Sequence, residues 1–381
     1  MHPRHSQIPP PRLNLLEERS VNGFRLNRAY PAQMHIPDGY LSPQTDAVLG
    51  LGSVLAGTFA AYKTGKNSFG RSLPLLALGA AFSFTLMMFN IPIPDGTTAH
   101  AVGGTLLAVL MGPWAAMISI SVALVIQALF FGDGGVLALG ANIFNMGVIL
   151  PLVSYAVYRL ATFRSQITSR RRWLGAAAAG YIGLNVTALC VGIELGLQPL
   201  LFHTAKGLPL YSPYGLEVAV PAMLFAHLTV AGGVEAAVSA LVIAYLQKAN
   251  PALLQLRQAQ KPDIRPRWSK AIVIVLVLAL LSPLGLLASG SAWGEWNPEQ
   301  IQAQLGFIPA GLAKWNGFWR LSLLPDYGLP GDQQAFWLQA FGYLASAFTG
   351  LSVIGLIFWV FHHFRRKGEN QDGTAGLAAK K

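Results

Sequence analysis

The sequence predicts an all-α protein, a polytopic bundle of transmembrane helices. Of its 381 residues, 53% are hydrophobic and 11% are charged, whereas a soluble domain carries about 25% charged residues. The mean hydropathy of +0.46 agrees, because a soluble fold of this length could not cover its surface with so few charges. Long apolar segments also follow one another along the chain, which is typical of a protein that crosses a membrane several times.

Nine apolar segments underlie this prediction. Eight of them are long: 47–62, 73–90, 114–131, 141–160, 173–197, 216–246, 271–288 and 335–361. The ninth, 101–111, falls below the roughly 20 residues that a full span needs, so we expect a half-helix packed inside the bundle beside a polar site. A polar, basic linker, 248–270, divides a seven-segment module, 34–247, from a module with two further transmembrane helices, 271–364.

The basic residues predict the orientation in the cell membrane. If residue 35 lies outside and all nine segments cross, most of the 27 Lys and Arg residues fall in cytoplasmic loops and in a cytoplasmic tail, 365–381, as the positive-inside rule requires. This distribution explains the net charge of +11 without a nucleic-acid partner. The polar segment 1–33 breaks the rule, because its five arginines would lie outside. We therefore expect it to be disordered or absent from the mature protein.

Two histidine motifs carry the chemistry. The first reads Met-His-Ile-Pro-Asp-Gly-Tyr-Leu-Ser-Pro over 34–43, and the second reads Ile-Pro-Ile-Pro-Asp-Gly-Thr-Thr-Ala-His over 91–100. Both precede an apolar segment on the predicted outer side, so His35 and His100 could meet in one outward-facing pocket. The single cysteine, Cys190, excludes a disulfide framework and a cysteine-rich metal site. The chain contains no Gly-x-x-x-x-Gly-Lys-Ser/Thr loop, so it does not hydrolyse ATP by that route.

The first motif resembles the start of the CbiM/NikM family, the metal-binding components of energy-coupling factor (ECF) transporters for cobalt and nickel. The similarity covers roughly 34–247 and continues in four short stretches, 100–105, 112–114, 127–135 and 139–147. The second module is similar to the small two-helix CbiN/NikN partner, through Ala-Trp-Gly-Glu-Trp at 292–296 and Leu-Pro-Asp-Tyr-Gly at 324–328.

The resemblance implies that the chain binds Ni(II) or Co(II) outside the cell as a transported substrate and delivers it inward. It implies a planar site of four nitrogens: the Met34 amine, the His35 amide nitrogen and imidazole, and the His100 imidazole. Such a donor set suits Ni(II) or another tetragonal ion and excludes Mg and Ca. Because Met34 is not residue 1, this ligand set requires translation to start at Met34 or the preceding segment to be removed.

The resemblance also implies the partners: a transmembrane coupling protein of the CbiQ/NikQ type and ATPase subunits of the CbiO/NikO type, with no organic cofactor. The chain would then be a transporter component and not an enzyme. Two alternatives stay open from the residues. One is a membrane metal sensor or scaffold. The other is an intramembrane metalloenzyme built on His227 and Glu235, which would need a spacing such as His-Glu-x-x-His that the sequence lacks.

Three further polar residues are candidates for orienting the metal ligands. Asp38 either orients the ligand loop or closes an ordinary Pro-Asp-Gly turn. His227 and Glu235 lie in the seventh apolar segment. A carboxylate inside a membrane indicates function, but it could equally form a structural hydrogen bond with a neighbouring helix.

Small residues recur at intervals of four in the first apolar segment, at Gly52, Ala56 and Ala60. This spacing lets helices approach closely. The resemblance implies that such a face docks the coupling protein, and packing inside the bundle is the alternative. Asn142 and Asn145 either cap a helix or line the site.

Overall fold

The computed structural model describes residues 35–93, 97–255, 268–288, 292–329 and 335–378. Met34 and the predicted segment 1–33 lie outside the described residues, as do the middle of the linker and the last three residues. In the described part, the only strands are Ile91–Pro92 and Thr98–Ala99, which form a short antiparallel hairpin before His100. All other regular structure there is helical, so the predicted all-α class is confirmed.

Twelve α-helices form the described part of the chain. They are α1 (Pro43–Met87), α2 (Gly104–Met111), α3 (Pro113–Ile126), α4 (Leu139–Asn142), α5 (Leu150–Ala161), α6 (Arg170–Leu201), α7 (Leu216–Ala226), α8 (Gly232–Ala249), α9 (Trp268–Leu281), α10 (Pro298–Leu305), α11 (Ala310–Trp315) and α12 (Phe336–Ala378). Three π-helical segments join some of them: Gln127–Phe131, Ile143–Ile149 and His227–Ala231. Single 3₁₀ turns lie at Pro251–Gln255, Ser282–Leu287 and Pro325–Tyr327.

Seven helical stretches of the described part are long and apolar enough to cross a membrane. These are Pro43–Gly65, Pro113–Phe131, Leu139–Ala161, Arg170–Leu201, Leu216–Ala249, Lys270–Leu287 and Phe336–Phe364. Leu73–Met87 forms a shorter apolar helical stretch. The predicted half-helix at 101–111 is the eight-residue α2, whose first five residues are buried. The chain is therefore a multi-pass membrane protein with a short helix packed inside it.

The first two predicted segments required one correction. We expected a loop at 63–72, but the backbone is helical throughout α1. The loop before α1 nevertheless lies beside the segment that directly follows α3 and its π-helical extension, where His35 Nδ1 is 3.0 Å from Asp133 Oδ1. Near the other end of α1, the Phe84 ring packs 5.6 Å from that of Phe131. Both ends of α1 therefore lie at the same end of α3, so its two arms run in opposite directions. The last helix, α12, extends beyond the last span and ends at Ala378, so it includes most of the predicted tail, 365–381.

The stripe of small residues on α1 faces the interior of the bundle. Ala60 is fully buried, and Ala56 packs against the same cluster as Met117. A Cβ atom at Gly52 would lie 3.2 Å from the ring of Phe144. The absence of larger side chains therefore lets α1 approach its neighbours. This packing agrees with the alternative left open by the sequence, and docking of the coupling protein at these residues stays a prediction.

The two predicted modules share one hydrophobic core. Tyr327 and Tyr343 of the second module are almost fully buried and pack in the same cluster as Phe84 and Phe131 of the first. The Tyr327 ring stacks on Phe131, with centroids 5.0 Å apart. Because aromatic side chains bury large apolar areas, this contact anchors the second module close to the histidine motifs.

Candidate metal centre

A cavity of about 90 Å³ lies where the two histidine motifs meet. His35, His100 and His227 line it, together with Asn142 and Asn145. Much of the remaining wall is apolar: Leu184, Ala188, Val191, Leu195, Met223 and Ala226. The second module contributes the segment 292–295 to the same wall. Imidazole groups are thus concentrated in a small, largely apolar space, where electrostatic interactions are stronger than in water.

The rings of His35 and His100 lie close together and out of solvent. Their centroids are 5.3 Å apart, with an angle of 66° between the ring planes, and only 3% and 8% of the two residues are exposed. Imidazole nitrogens bind transition metals at about 2.0 Å, so two rings on one ion have centroids roughly 4.5 to 6 Å apart. The observed separation therefore fits two imidazoles that bind a common ion.

The backbone after His35 is clamped by one asparagine side chain. Asn142 Oδ1 accepts a hydrogen bond from the Ile36 N–H at 3.0 Å, and its Nδ2 donates to the Ile36 carbonyl at 3.1 Å. The Gly135 N–H donates to the same carbonyl at 2.9 Å. These three bonds fix the peptide beside His35, so Asn142 both lines the cavity and holds the loop that carries His35.

Asp38 fastens the same loop from its other side. Its carboxylate accepts hydrogen bonds from the backbone N–H groups of Leu137 at 2.8 Å and Ala138 at 3.4 Å. Burial raises the pKa of Asp38, and these backbone hydrogen bonds oppose that shift. The Tyr40 N–H also donates to the Pro37 carbonyl across the turn. Asp38 does not line the cavity, so it acts on the loop and not directly on an imidazole.

One carboxylate beside His35 was not singled out from the sequence. His35 Nδ1 lies 3.0 Å from Asp133 Oδ1, although the two atoms are not aligned as a hydrogen bond. Asp133 is 2% exposed and lies between Gly132 and Gly134. Gly134 has a φ of +80°, and a Cβ there would lie 2.7 Å from His35 Cβ. A carboxylate among glycines directly after a membrane span was therefore the signal in the sequence that could have identified Asp133.

Asp133 is held in turn by the second module. The Tyr327 hydroxyl donates to Asp133 Oδ2 at 2.6 Å, and Gln127 Nε2 donates to the Tyr327 oxygen at 2.9 Å. Burial, and next the negative charge of Asp133, raise the pKa of Tyr327 well above its ordinary value. The hydroxyl therefore keeps its proton at neutral pH and remains the donor. A chain of polar contacts thus connects the second module to His35.

Glu235 supports the other histidine motif from a distance. Its carboxylate accepts hydrogen bonds of 2.8 to 3.0 Å from the backbone N–H groups of Val102, Gly103 and Thr105. These groups lie at the start of α2, where helical N–H groups have no partner within the helix and the helix dipole favours a negative charge. Glu235 does not line the cavity. Glu235 thus makes the structural hydrogen bonds that the sequence left open as an alternative, and it fixes the backbone that follows His100.

His227 does line the cavity, and it lies in a π-helical segment. Its Nδ1 is 2.7 Å from the Met223 carbonyl oxygen, so the tautomer with hydrogen on Nδ1 fits and leaves Nε2 as the acceptor. The other two π-helical segments contribute Gln127 to the Tyr327 contact and Asn145 to the cavity wall. Such segments are frequent at functional sites.

Comparison with protein families identifies the architecture. A family model described as the cobalt uptake substrate-specific transmembrane region matches residues 35–253. The chain belongs to the CbiM family. A second model, the PDGLE domain, matches residues 268–367 of this CbiM-family chain.

Two relatives match most of this chain and are named as fused proteins. The fused nickel transport protein NikMN of Rhodobacter capsulatus is 49% identical over 333 residues, which cover 84% of this chain and 95% of that relative. The probable fused nickel transport protein LarMN of Lactiplantibacillus plantarum is 46% identical over 345 residues, 87% and 98% of the two chains. The predicted resemblance to CbiM/NikM with a fused second module is confirmed. This CbiM-family chain is a transporter component and not an enzyme.

Two solved structures match more than half of the chain. One, described as a transition metal transporter, has a TM-score of 0.54 and 57% identity, and the match covers 59% of this chain and 99% of that one. The other, described as a truncated transition metal transporter, has a TM-score of 0.52 and 60% identity over 56% and 98% of the two chains. Both agree with the helical membrane fold of this CbiM-family chain.

Proposed function

We propose that this chain is the substrate-capture component of an ECF-type ABC importer for Ni(II), Co(II) or both. The observation that carries the proposal is the pair of buried imidazoles, His35 and His100, with centroids 5.3 Å apart in one cavity. The names of the relatives support the substrate class, since two are called nickel transport proteins and another is called a cobalt transport protein.

The donor atoms are the Met34 amine, the His35 amide nitrogen, His35 Nδ1 and a His100 imidazole nitrogen. Covalent geometry supports the first three, because the amine and the amide close a five-membered ring with the ion, and the amide and Nδ1 close a six-membered ring. Among the described residues, no three His, Cys, Asp or Glu side chains are arranged to hold an ion, so backbone and terminal nitrogens complete the set. A planar set suits Ni(II) and disfavours Zn(II), which prefers a tetrahedron.

The amine donor makes a direct prediction about the mature chain. A peptide-bonded Met34 would offer an amide in place of an amine, so the functional protein begins at Met34. Intact-mass measurement of the protein purified from membranes should give a first residue of Met34. A fully metal-loaded chain that still carries residues 1–33 would contradict this ligand set.

The metal site faces the outside and the C-terminus lies in the cytoplasm, in agreement with the distribution of basic residues and the positive-inside rule. Energy for import comes from partner ATPase subunits of the CbiO/NikO type, through a coupling protein of the CbiQ/NikQ type. The chain supplies substrate specificity, and its partners supply ATP hydrolysis.

Uptake of radioactive nickel separates a transporter from a metal sensor or scaffold. In cells without other nickel importers, we expect accumulation when this chain is produced with the coupling and ATPase subunits. A partner ATPase whose phosphate-binding lysine is replaced should reduce accumulation to background, because the chain cannot energise import alone. Equal accumulation with the active and inactive ATPase would contradict the proposed importer, and metal binding without any uptake would favour the sensor.

A further inference from the structure

The segment 292–296 of the second module is fixed against the metal cavity. Its residues 292–295 belong to the cavity wall. The Tyr40 hydroxyl donates to the Trp296 carbonyl at 2.6 Å, which connects this segment to the loop that carries His35. The rings of Trp293, Trp296 and Tyr214 pack with centroids 5.5 to 5.7 Å apart. The segment therefore has a defined position beside the imidazoles.

Glu295 brings a carboxylate without a partner into this wall. Its Oε2 is out of solvent and accepts no hydrogen bond in the part of the chain that the structure describes. Native proteins rarely leave a buried polar atom unsatisfied, and an exception calls for an explanation. Burial, and next the negative charge of Asp133, raise the pKa of Glu295 well above its ordinary value. A divalent cation would satisfy the oxygen and offset the repulsion between the two carboxylates.

We propose that the Glu295 carboxylate is the first protein ligand of the entering Ni(II) or Co(II) ion, which it then passes to the nitrogen donors; this inference rests on the proposed function. A carboxyl oxygen suits the first step because it gives up a single proton, whereas the amine and the amide nitrogen must each lose one before the chelate closes. The entering ion displaces the Glu295 proton to water. During the transfer, the ion exchanges this oxygen for nitrogens, the amine and amide protons pass to water, and the Glu295 carboxylate takes up a proton again. Among the described residues, Glu295 and the histidines do not form a three-residue metal group, which fits a ligand that acts before them.

The kinetics of Ni(II) binding test this role. The protein for this experiment is the chain from Met34 to its C-terminus, mixed with Ni(II) in a stopped-flow instrument. In it, E295Q should lower the association rate of Ni(II) about tenfold. A residue that binds the ion only during entry must also bind it during release. E295Q should therefore lower the dissociation rate by the same factor as the association rate. The equilibrium Kd should therefore stay within about twofold of the wild-type value. The substitution keeps the size of the side chain, and thermal unfolding of E295Q checks that the fold is retained.

E299Q is the matched control, because Glu299 lies four residues further on, in the first turn of α10, and is exposed. It makes the same substitution at a residue that does not line the cavity and should leave both rates unchanged. An unchanged association rate in E295Q, or an equal decrease in E299Q, overturns the proposal. A weaker Kd caused by faster dissociation alone also overturns it, since that result puts Glu295 in the final site. Failure of the proposed function would instead appear as no Ni(II) binding by the wild-type chain.

Discussion

Replacing His100 with alanine should weaken Ni(II) binding by more than about 100-fold. Loss of an outer partner of a metal ligand already costs about 10- to 100-fold in affinity, and His100 is proposed to be a ligand itself. The alanine removes the donor at the corner of the planar set that the chelate formed by Met34 and His35 does not fill. Calorimetric titration of the chain beginning at Met34 should show little heat from specific binding, and the absorption band of planar Ni(II) should disappear.

His203→Ala is the matched control for this prediction. His203 is exposed, does not line the cavity and lies with its Nδ1 3.2 Å from the Pro199 carbonyl oxygen. Its removal should change neither the stoichiometry nor the Kd. If H100A bound one equivalent of Ni(II) with wild-type affinity, His100 would not be a ligand and the planar nitrogen site would be wrong.

Much of the fold could be predicted from local sequence, because the thickness of the membrane sets the length of each apolar helix that crosses it. The apolar segments therefore indicate most of the spans, and the short segment 101–111 indicates the buried α2. The helical backbone over 63–72 could not be predicted in this way, since polar and basic residues there are equally typical of a loop. The inward direction of Gly52 and Ala60 also depends on which helix lies opposite, and small residues permit close packing on either face.

The site shows a similar division between local and long-range information. His35 and His100 were found because each lies in a recognisable motif that precedes an apolar segment. The role of Glu235 depends on backbone groups more than 100 positions away in the chain, and periodicity carries no information about such pairs. Asp133 and Tyr327 were missed as site residues for the same reason, since their hydrogen bond joins the two modules.

Replacing Tyr327 with phenylalanine should weaken Ni(II) binding about tenfold, although Tyr327 does not line the cavity. The hydroxyl orients Asp133, whose other oxygen lies 3.0 Å from His35 Nδ1. Without it, Asp133 loses a buried, charge-assisted hydrogen bond that holds its negative charge beside the proposed ligand nitrogen, and loss of a group that orients the surroundings of a bound ion typically weakens metal binding 10- to 100-fold. The phenylalanine ring can still stack on Phe131. We therefore expect faster Ni(II) dissociation and a shifted absorption band of the bound ion, with the helical fold retained.

Tyr343→Phe distinguishes this positioning role from a general effect on the shared core. Tyr343 packs 5.6 Å from Tyr327 and is equally buried, but its hydroxyl has no hydrogen-bond partner in the described part of the chain. Removing that hydroxyl leaves no buried partner unsatisfied, so Y343F should keep the wild-type affinity and absorption band. Equal losses in the two variants would mean that Tyr327 acts only through packing. Unchanged binding in Y327F would mean that the second module does not act on the metal site through Asp133.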